Sequence, residues 1–443
     1  MFKITSMESS NIEGAKSRRD FIKKTAYACA SFPSVTRIGE STNKNYQPLV
    51  TEVKMNSQKS ESIIGAYGDW ASGLLNDVPD LSFRKEKWKT VDSWKTVALE
   101  KTKELVAAPK LTVDSEVTVH KKYTYDGLEV EELSWQLSNG NGRTKAILLK
   151  PAGVKKKLPA ILGLHDHGGN KYFGRRKITK VSDEQHPLMD IHQQEYYQNL
   201  AWANEIAKRG YVVLVHDTFA FGSRRVYLND VKGIIWGGAY LNGISDDKPE
   251  EEKSIKAYNE WASNHEHVLS KSVFCAGTTW PGIVLAEDQV ALNILAERAD
   301  VDEGRIGCAG LSGGGLRTNY LAGLDHRIKC AVSVGFMTTW KDFLMNKAFT
   351  HTWMLYTPLL PQYLEFAEII GLRVPLPTLV LNNNQDSLYT SPEMEKADKI
   401  LSEVYRKAGA SEKYRANFYD GPHKFDKQMQ LDAFNWFDKW LKT

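Results

Sequence analysis

Between an apolar run, Arg305-Ile306-Gly307-Cys308-Ala309, and a helix-like pattern, Leu316-Arg317-Thr318-Asn319-Tyr320-Leu321-Ala322, the chain reads Gly310-Leu311-Ser312-Gly313-Gly314. A buried strand that turns sharply into a helix forces its corner residue into a strained backbone conformation. Glycines must flank that corner, because neighbouring Cβ atoms would collide there. The serine hydroxyl is thereby pushed clear of the sheet, beside the free N–H groups of a helix N-terminus. Such a place suits a nucleophile whose attack creates an oxyanion. The pentapeptide alone is a weak signal, and a glycine-rich turn that only packs is its plainer reading. The strand before it and the helix after it make Ser312 the candidate nucleophile.

The rest of the chain supplies a frame for such a corner. Residues 1–57 are polar and irregular, and read as a leader and linker. Residues 58–110 carry helical spacing, as in Trp88, Val91, Trp94 and Val97, and predict two or more helices as an N-terminal extension. Strand patterns follow at Val117–His120, Glu129–Trp135 and Thr144–Leu149, the last two joined by the turn signal Asn139-Gly140-Asn141-Gly142. After Pro151 the pattern alternates. Apolar strand runs at Pro159–Leu164, Tyr211–Val215, Arg305–Ala309, Lys329–Val334, Thr378–Leu381 and Tyr414–Tyr419 are interleaved with helical stretches such as Glu195–Arg209, Ala286–Ala299 and Pro392–Ala408. Antiparallel strands followed by repeated βα units describe an α/β class: a mostly parallel sheet with helices on both faces, over residues 111–443. Two connections, Thr218 to Pro281 and Gly335 to Pro375, are too long for plain crossovers. Both leave strands at the carboxyl edge, where open α/β sheets build ligand sites.

A formal charge of +4, with basic residues interspersed among acidic ones, argues against a nucleic-acid partner. No apolar run approaches the length of a membrane span. Four cysteines make no disulfide framework: Cys308 and Cys330 fall in expected buried strands, and Cys275 has no evident partner. Near the start, Ser17-Arg18-Arg19-Asp20-Phe21-Ile22-Lys23-Lys24 and the short apolar stretch after it, which contains Cys29, resemble a twin-arginine export signal. The expectation is therefore an exported protein, periplasmic or extracellular, with a basic leader on a cytoplasmic enzyme as the alternative.

A serine hydroxyl needs a base to take its proton, and the base needs an orienting acid. On a strand–corner–helix scaffold the chain order is serine, acid, histidine. Only His326, His351 and His423 follow Ser312. His326 lies in a turn entering the next strand and His351 inside a long connection. His423, in Tyr419-Asp420-Gly421-Pro422-His423 after the last strand, returns to the catalytic edge and is the expected base. Asp386 follows the apolar strand Thr378–Leu381 and is the expected acid, with Asp420 as its rival. The oxyanion hole is assigned to the backbone N–H of Gly313 and of His167, the latter in Leu164-His165-Asp166-His167-Gly168-Gly169 after the first βα-type strand. His165-x-His167 with His265-x-His267 also has the look of a metal-ligand pattern, but Gly169-Asn170 break the metallo-hydrolase sequence, and no metal or cofactor is expected. Trp236, Trp280, Trp340 and Trp353 fall in the two long connections, and Trp280, Trp340 and Tyr356 are expected as the substrate-binding rim.

These residues together resemble a family, the α/β-hydrolases of the dienelactone hydrolase and acetyl xylan esterase kind. The resemblance covers about residues 110–443. It is carried by His165-Asp166-His167-Gly168-Gly169, Gly310-Leu311-Ser312-Gly313-Gly314, Asn384-Gln385-Asp386 and Gly421-Pro422-His423. His216-Asp217-Thr218-Phe219-Ala220-Phe221-Gly222-Ser223-Arg224 and Tyr356-Thr357-Pro358 add to it. It departs from dienelactone hydrolases proper in having serine, not cysteine, at the corner, and from the smallest members in its Thr218–Pro281 connection. The resemblance implies a cofactor-free serine carboxylic ester hydrolase acting on a small-molecule or oligosaccharide ester, with short acyl groups such as acetyl. A serine peptidase of the same fold and a non-catalytic binding protein on a hydrolase scaffold are the alternatives.

Overall fold

The computed structural model describes residues 61–443 except 115, 141, 232–247, 249 and 443. The expected leader with Arg18, Arg19 and Cys29, and Trp236 in the first long connection, lie outside the described residues. The described residues fall in one compact unit.

Nine strands build one sheet: β1 Thr118–Tyr125, β2 Leu128–Gln136, β3 Arg143–Pro151, β4 Leu158–Gly163, β5 Val212–His216, β6 Val301–Leu311, β7 Ile328–Val334, β8 Thr378–Asn383 and β9 Tyr414–Tyr419. Their order is β1-β2-β3-β5-β4-β6-β7-β8-β9. β1, β2, β3 and β5 pair antiparallel in turn, and every pairing from β5 through β9 is parallel. The crossing of β4 and β5 leaves β4 beside β6, which sets the loop after β4 next to the end of β6. This is the α/β-hydrolase arrangement, an antiparallel edge leading into a parallel sheet.

Side-chain alternation divides the core. Leu148, Leu162, Leu214 and Ala331 pack on one face, while Ile147, Leu149, Ile161, Val213 and Val332 pack on the other. Both sets are buried, as the near-continuous apolar runs of parallel strands require. The first face is covered by α1 Val91–Val106, α5 Trp280–Ala296, α6 Gly313–Leu324, α7 Phe366–Gly371 and α8 Ser391–Lys407. On the second lie α3 Trp202–Lys208 and α9 Lys427–Leu441. α2 Pro187–Tyr197 and α4 Glu252–Cys275 fall in the connections between strands. Sequence chemistry sets several ends: the Thr279 side chain accepts the Gly282 N–H to cap α5, and Asp426 accepts the Met429 N–H to cap α9.

One expectation needed revision. The helical stretch Glu195–Arg209 is two helices, because Gln198 and Asn199 take positive φ (54° and 62°) and break it. In the N-terminal extension a short helix, Gly68–Ser72, precedes the long α1, as the helical spacing led one to expect. α1 joins the main core: Trp94 is fully buried and donates its indole N–H to the Leu81 carbonyl. The hydroxyls of Thr278 and Thr279 donate to the carbonyls of Ala107 and Val106, at the end of α1.

Candidate active site

Ser312 stands where β6 ends and α6 begins, at φ 58° and ψ −120°. A conformation of this kind costs about 1–3 kcal/mol and persists only where the surroundings fix it. They do so here: the Ser312 N–H donates to the Val334 carbonyl at 2.9 Å, and its own carbonyl accepts the Leu316 N–H at 2.9 Å. The glycines are sterically required. A Cβ on Gly310 would lie 2.3 Å from the Leu164 oxygen, and one on Gly314 would lie 2.1 Å from the same atom. The loop after β4 is therefore pressed against the corner. A Cβ on Gly313 would meet the His167 nitrogen at 2.9 Å, so the two backbones proposed for one oxyanion are neighbours.

Asp386 and His423 arrive from the loops after β8 and β9. Asp386 Oδ2 accepts from His423 Nδ1 at 2.5 Å, and Asp386 Oδ1 accepts the Leu388 N–H at 2.9 Å. The carboxylate is buried, and so is His423 Nε2, which has no hydrogen-bond partner. The imidazole leans on Gly335, where a Cβ would come within 2.9 Å of His423 Cε1. The Tyr389 hydroxyl donates to the Gly335 carbonyl at 2.9 Å, and the Phe425 N–H donates to the Tyr196 carbonyl at 2.7 Å, fixing both sides of the histidine loop. Asp420 instead takes a hydrogen bond from the Asn384 amide at 2.6 Å. His326 is exposed at the entry to β7.

Ser312, Gly313, His167 and His423 line one cavity of about 290 Å³, with Tyr196, Phe336, Met354, Leu355 and Leu388 as its apolar wall. Its other side is held by a charged network. His167 Nδ1 accepts the Gly169 N–H at 3.1 Å, so the proton of the neutral ring sits on Nε2, which donates to Glu266 Oε1 at 2.8 Å. The Lys171 ammonium lies 2.5 Å from the same oxygen. Burial, then Lys171, lowers the His167 pKa and keeps the ring neutral. Lys171 and His167, acting against the burial penalty, bring the Glu266 carboxyl down to about 2. Further along the same connection, the buried Lys177 donates to the carbonyls of both Asp166 and His167 at 2.8 Å and holds the loop's backbone in place. Beyond it, Asp217 accepts from the Arg175 guanidinium at 2.6 Å and from the Ser223 N–H at 2.9 Å, while Arg224 pairs with Glu287 at 2.8 Å. The Asp217–Arg224 segment is thus a clasp under the site.

The aromatic rim is placed differently from expectation. Trp280 is fully buried beside Lys171, whose ammonium is 5.0 Å from its ring. Trp340 turns inward, giving its indole N–H to the Leu364 carbonyl at 2.9 Å and packing edge-on against Phe366. The Tyr356 hydroxyl is tied to the Ala348 carbonyl at 3.1 Å. None of the three lines the cavity. The Trp340–Tyr356 segment does reach it, through Thr350, His351, Thr352 and Met354. Sequence reasoning missed Glu266 and Lys171, since nothing in the text of α4 points across to His167. The two His-x-His pairs do not converge: His165 Nδ1 donates to the Asp166 carbonyl, and His265 stacks on Trp261 with ring centroids 4.7 Å apart. Among the described residues no group of three or more His, Cys, Asp or Glu side chains is placed to hold a metal ion.

Residues 276–415 match the profile of the Prolyl oligopeptidase family. The chain is 26% identical over 304 residues to YtaP of Bacillus subtilis, a protein named as a hydrolase, covering 68% of this chain and 85% of that one. Among solved structures it superimposes on a Bacteroides fragilis protein titled an acetyl xylan esterase, with TM-score 0.57, 16% identity and coverage of 80% and 82% of the two chains. A glucuronoyl esterase from Solibacter usitatus gives TM-score 0.54, 12% identity and coverage of 82% and 97%. At these identities the structural matches speak to the fold, and the fold is that of the α/β-hydrolases.

Proposed function

We propose, from the α/β-hydrolase fold and the site it carries, that the protein is a serine carboxylic ester hydrolase working through an acyl-enzyme. The observation that carries this reading is a strained corner serine lining the same cavity as a histidine whose Nδ1 is held 2.5 Å from a buried carboxylate and whose Nε2 has no partner. Ser312 Oγ would attack the ester carbonyl and pass its proton to His423 Nε2, while Asp386 stabilises the imidazolium. The oxyanion would take hydrogen bonds from the N–H groups of Gly313 and His167, each worth about 3–4 kcal/mol in the transition state. The imidazolium then gives its proton to the departing alcohol. Water, deprotonated by the same nitrogen, would attack the acyl-serine and release the acid, returning the proton to Ser312.

Acetyl and other short acyl groups suit a cavity of about 290 Å³ with Phe336, Met354 and Leu355 in its wall. The acetyl xylan esterase and glucuronoyl esterase among its structural neighbours support an ester of a carbohydrate. A fluorophosphonate probe tests the mechanism: labelling should map to Ser312, and labelling elsewhere or nowhere rejects it. The match to the Prolyl oligopeptidase family favours a second reading, a peptidase of the same fold. Turnover of p-nitrophenyl acetate without turnover of aminoacyl anilides decides for the esterase. Export is proposed on the Arg18-Arg19 motif; changing both arginines to lysine should retain the protein in the cytoplasm.

A further inference from the structure

Three imidazoles line the cavity among the described residues: those of His167, His351 and His423. His167 has both nitrogens engaged, and His423 is the proposed base. His351 has a different balance. Its Nε2 lies 3.0 Å from the Leu388 carbonyl, which can only accept, so the ring's hydrogen is on Nε2. Burial lowers its pKa to about 4 and keeps the ring neutral, which leaves Nδ1 with a lone pair. The ring is fixed in place by Phe343, edge-on with centroids 4.8 Å apart, and by Tyr389 at 5.1 Å. Leu388 ties it to the reacting centre: its carbonyl accepts from His351, while its N–H donates to Asp386 Oδ1 at 2.9 Å.

We infer that His351 is a specificity-determining residue whose Nδ1 accepts a hydrogen bond from a free hydroxyl on the alcohol part of the ester. The site would then favour partly acylated polyols and sugars over fully blocked ones. This rests on the esterase reading above. Most of the wall next to His351 is apolar. Around His351 the Phe336, Met354, Leu355 and Leu388 side chains carry no nitrogen or oxygen, while the Thr350 hydroxyl is turned to the Lys347 carbonyl at 2.9 Å and the Thr352 hydroxyl is engaged by the Met354 N–H. The ester's own carbonyl oxygen is provided for by the proposed oxyanion donors, and an acetyl group carries no donor. The matching donor therefore belongs to the alcohol. A substrate that lacks it would leave an unmatched acceptor in an apolar wall, which sites of this kind discriminate against.

The test is a pair of acetates differing in one group, 2-hydroxyethyl acetate and 2-methoxyethyl acetate, with kcat/KM normalised to their hydroxide-catalysed rates. The wild-type enzyme should prefer the hydroxyl compound by roughly three- to tenfold, the size of one neutral hydrogen bond. His351→Phe should bring that ratio to about one. His351→Gln, whose amide can donate to Leu388 and still present an oxygen, should retain most of the preference. A wild-type ratio near one, or a ratio that His351→Phe leaves intact, overturns the inference while the esterase reading stands. Should His351→Phe fail to fold, the wild-type ratio and the glutamine variant still decide. A preference found instead between ethyl glycolate and ethyl methoxyacetate would move the hydroxyl to the acyl side and overturn its placement here. If no ester is turned over and Ser312 resists fluorophosphonate, both readings fall together.

Discussion

Two acid–histidine pairs flank the same cavity and have opposite characters. On one side Asp386 holds His423 by Nδ1 and leaves Nε2 without a partner. On the other, Glu266 takes the Nε2 hydrogen of His167, whose Nδ1 is already engaged by the Gly169 N–H. Both carboxylates are buried and both contacts are short. The difference lies in what remains: one imidazole keeps a nitrogen without a partner, and the other has none. Proximity of an acid to a histidine therefore does not identify a catalytic pair. What separates these two is the second nitrogen: that of His423 has no partner, as the proposed base requires, whereas both of His167 are engaged, which suits the proposed backbone donor.

The largest expected effects fall on the first pair. His423→Ala should lower kcat/KM for p-nitrophenyl acetate by several orders of magnitude, and Asp386→Asn by on the order of 10⁴, by loss of the correct tautomer and of imidazolium stabilisation. Asp420→Asn, which touches only the Asn384 amide, should leave the rate within about twofold. A crippled Asp420→Asn beside an active Asp386→Asn would reverse the assignment.

The second pair should answer with stability before rate. Glu266→Ala would leave the buried Lys171 ammonium without its counter-ion, and breaking such a pair costs about 3–5 kcal/mol. Thermal unfolding should show a clear drop in Tm, with a fall in kcat far smaller than that of His423→Ala. A loss of rate as large as the His423 variant's, at unchanged Tm, would make Glu266 part of the chemistry.

A subtler sign separates the pairs by pH. The Glu266 carboxyl is brought to about 2 in the folded protein, against an ordinary value of 4.5. Its folded value is depressed, so its contribution is complete above pH 4.5 and is lost as pH falls from there through 2. Denaturant unfolding at a series of pH values should show wild type losing more stability over that window than Glu266→Gln. Equal losses would mean that the carboxylate is not held as the geometry indicates. The smallest effect concerns metal. Incubation with a strong chelator should leave turnover unchanged; loss restored by zinc would reopen the His165 and His167 reading.

Much of this arrangement was legible in the sequence. The strands announced themselves because a parallel sheet buried on both faces must be written in continuous apolar runs, as in Thr378–Leu381. Ser312 was visible because only glycine fits where Leu164 crowds the corner, and His423 and Asp386 followed from chain order. Glu266 was hidden: it sits in a polar helix, 99 residues from its partner, and its role exists only across that gap. Trp280 and Trp340 misled for the opposite reason. Aromatic bulk near a site says nothing of which way the ring turns, and here Leu364 and Phe366 draw Trp340 inward. The break at Gln198 and Asn199 left no glycine or proline to mark it.

Ser312 is the residue proposed to carry the acyl group, and the turnover of p-nitrophenyl acetate by Ser312→Ala, with circular dichroism to verify the fold, measures that role at the reacting atom. The expected result is a native spectrum and a fall in kcat of roughly 10³ or more. A natively folded Ser312→Ala enzyme with wild-type turnover would contradict it.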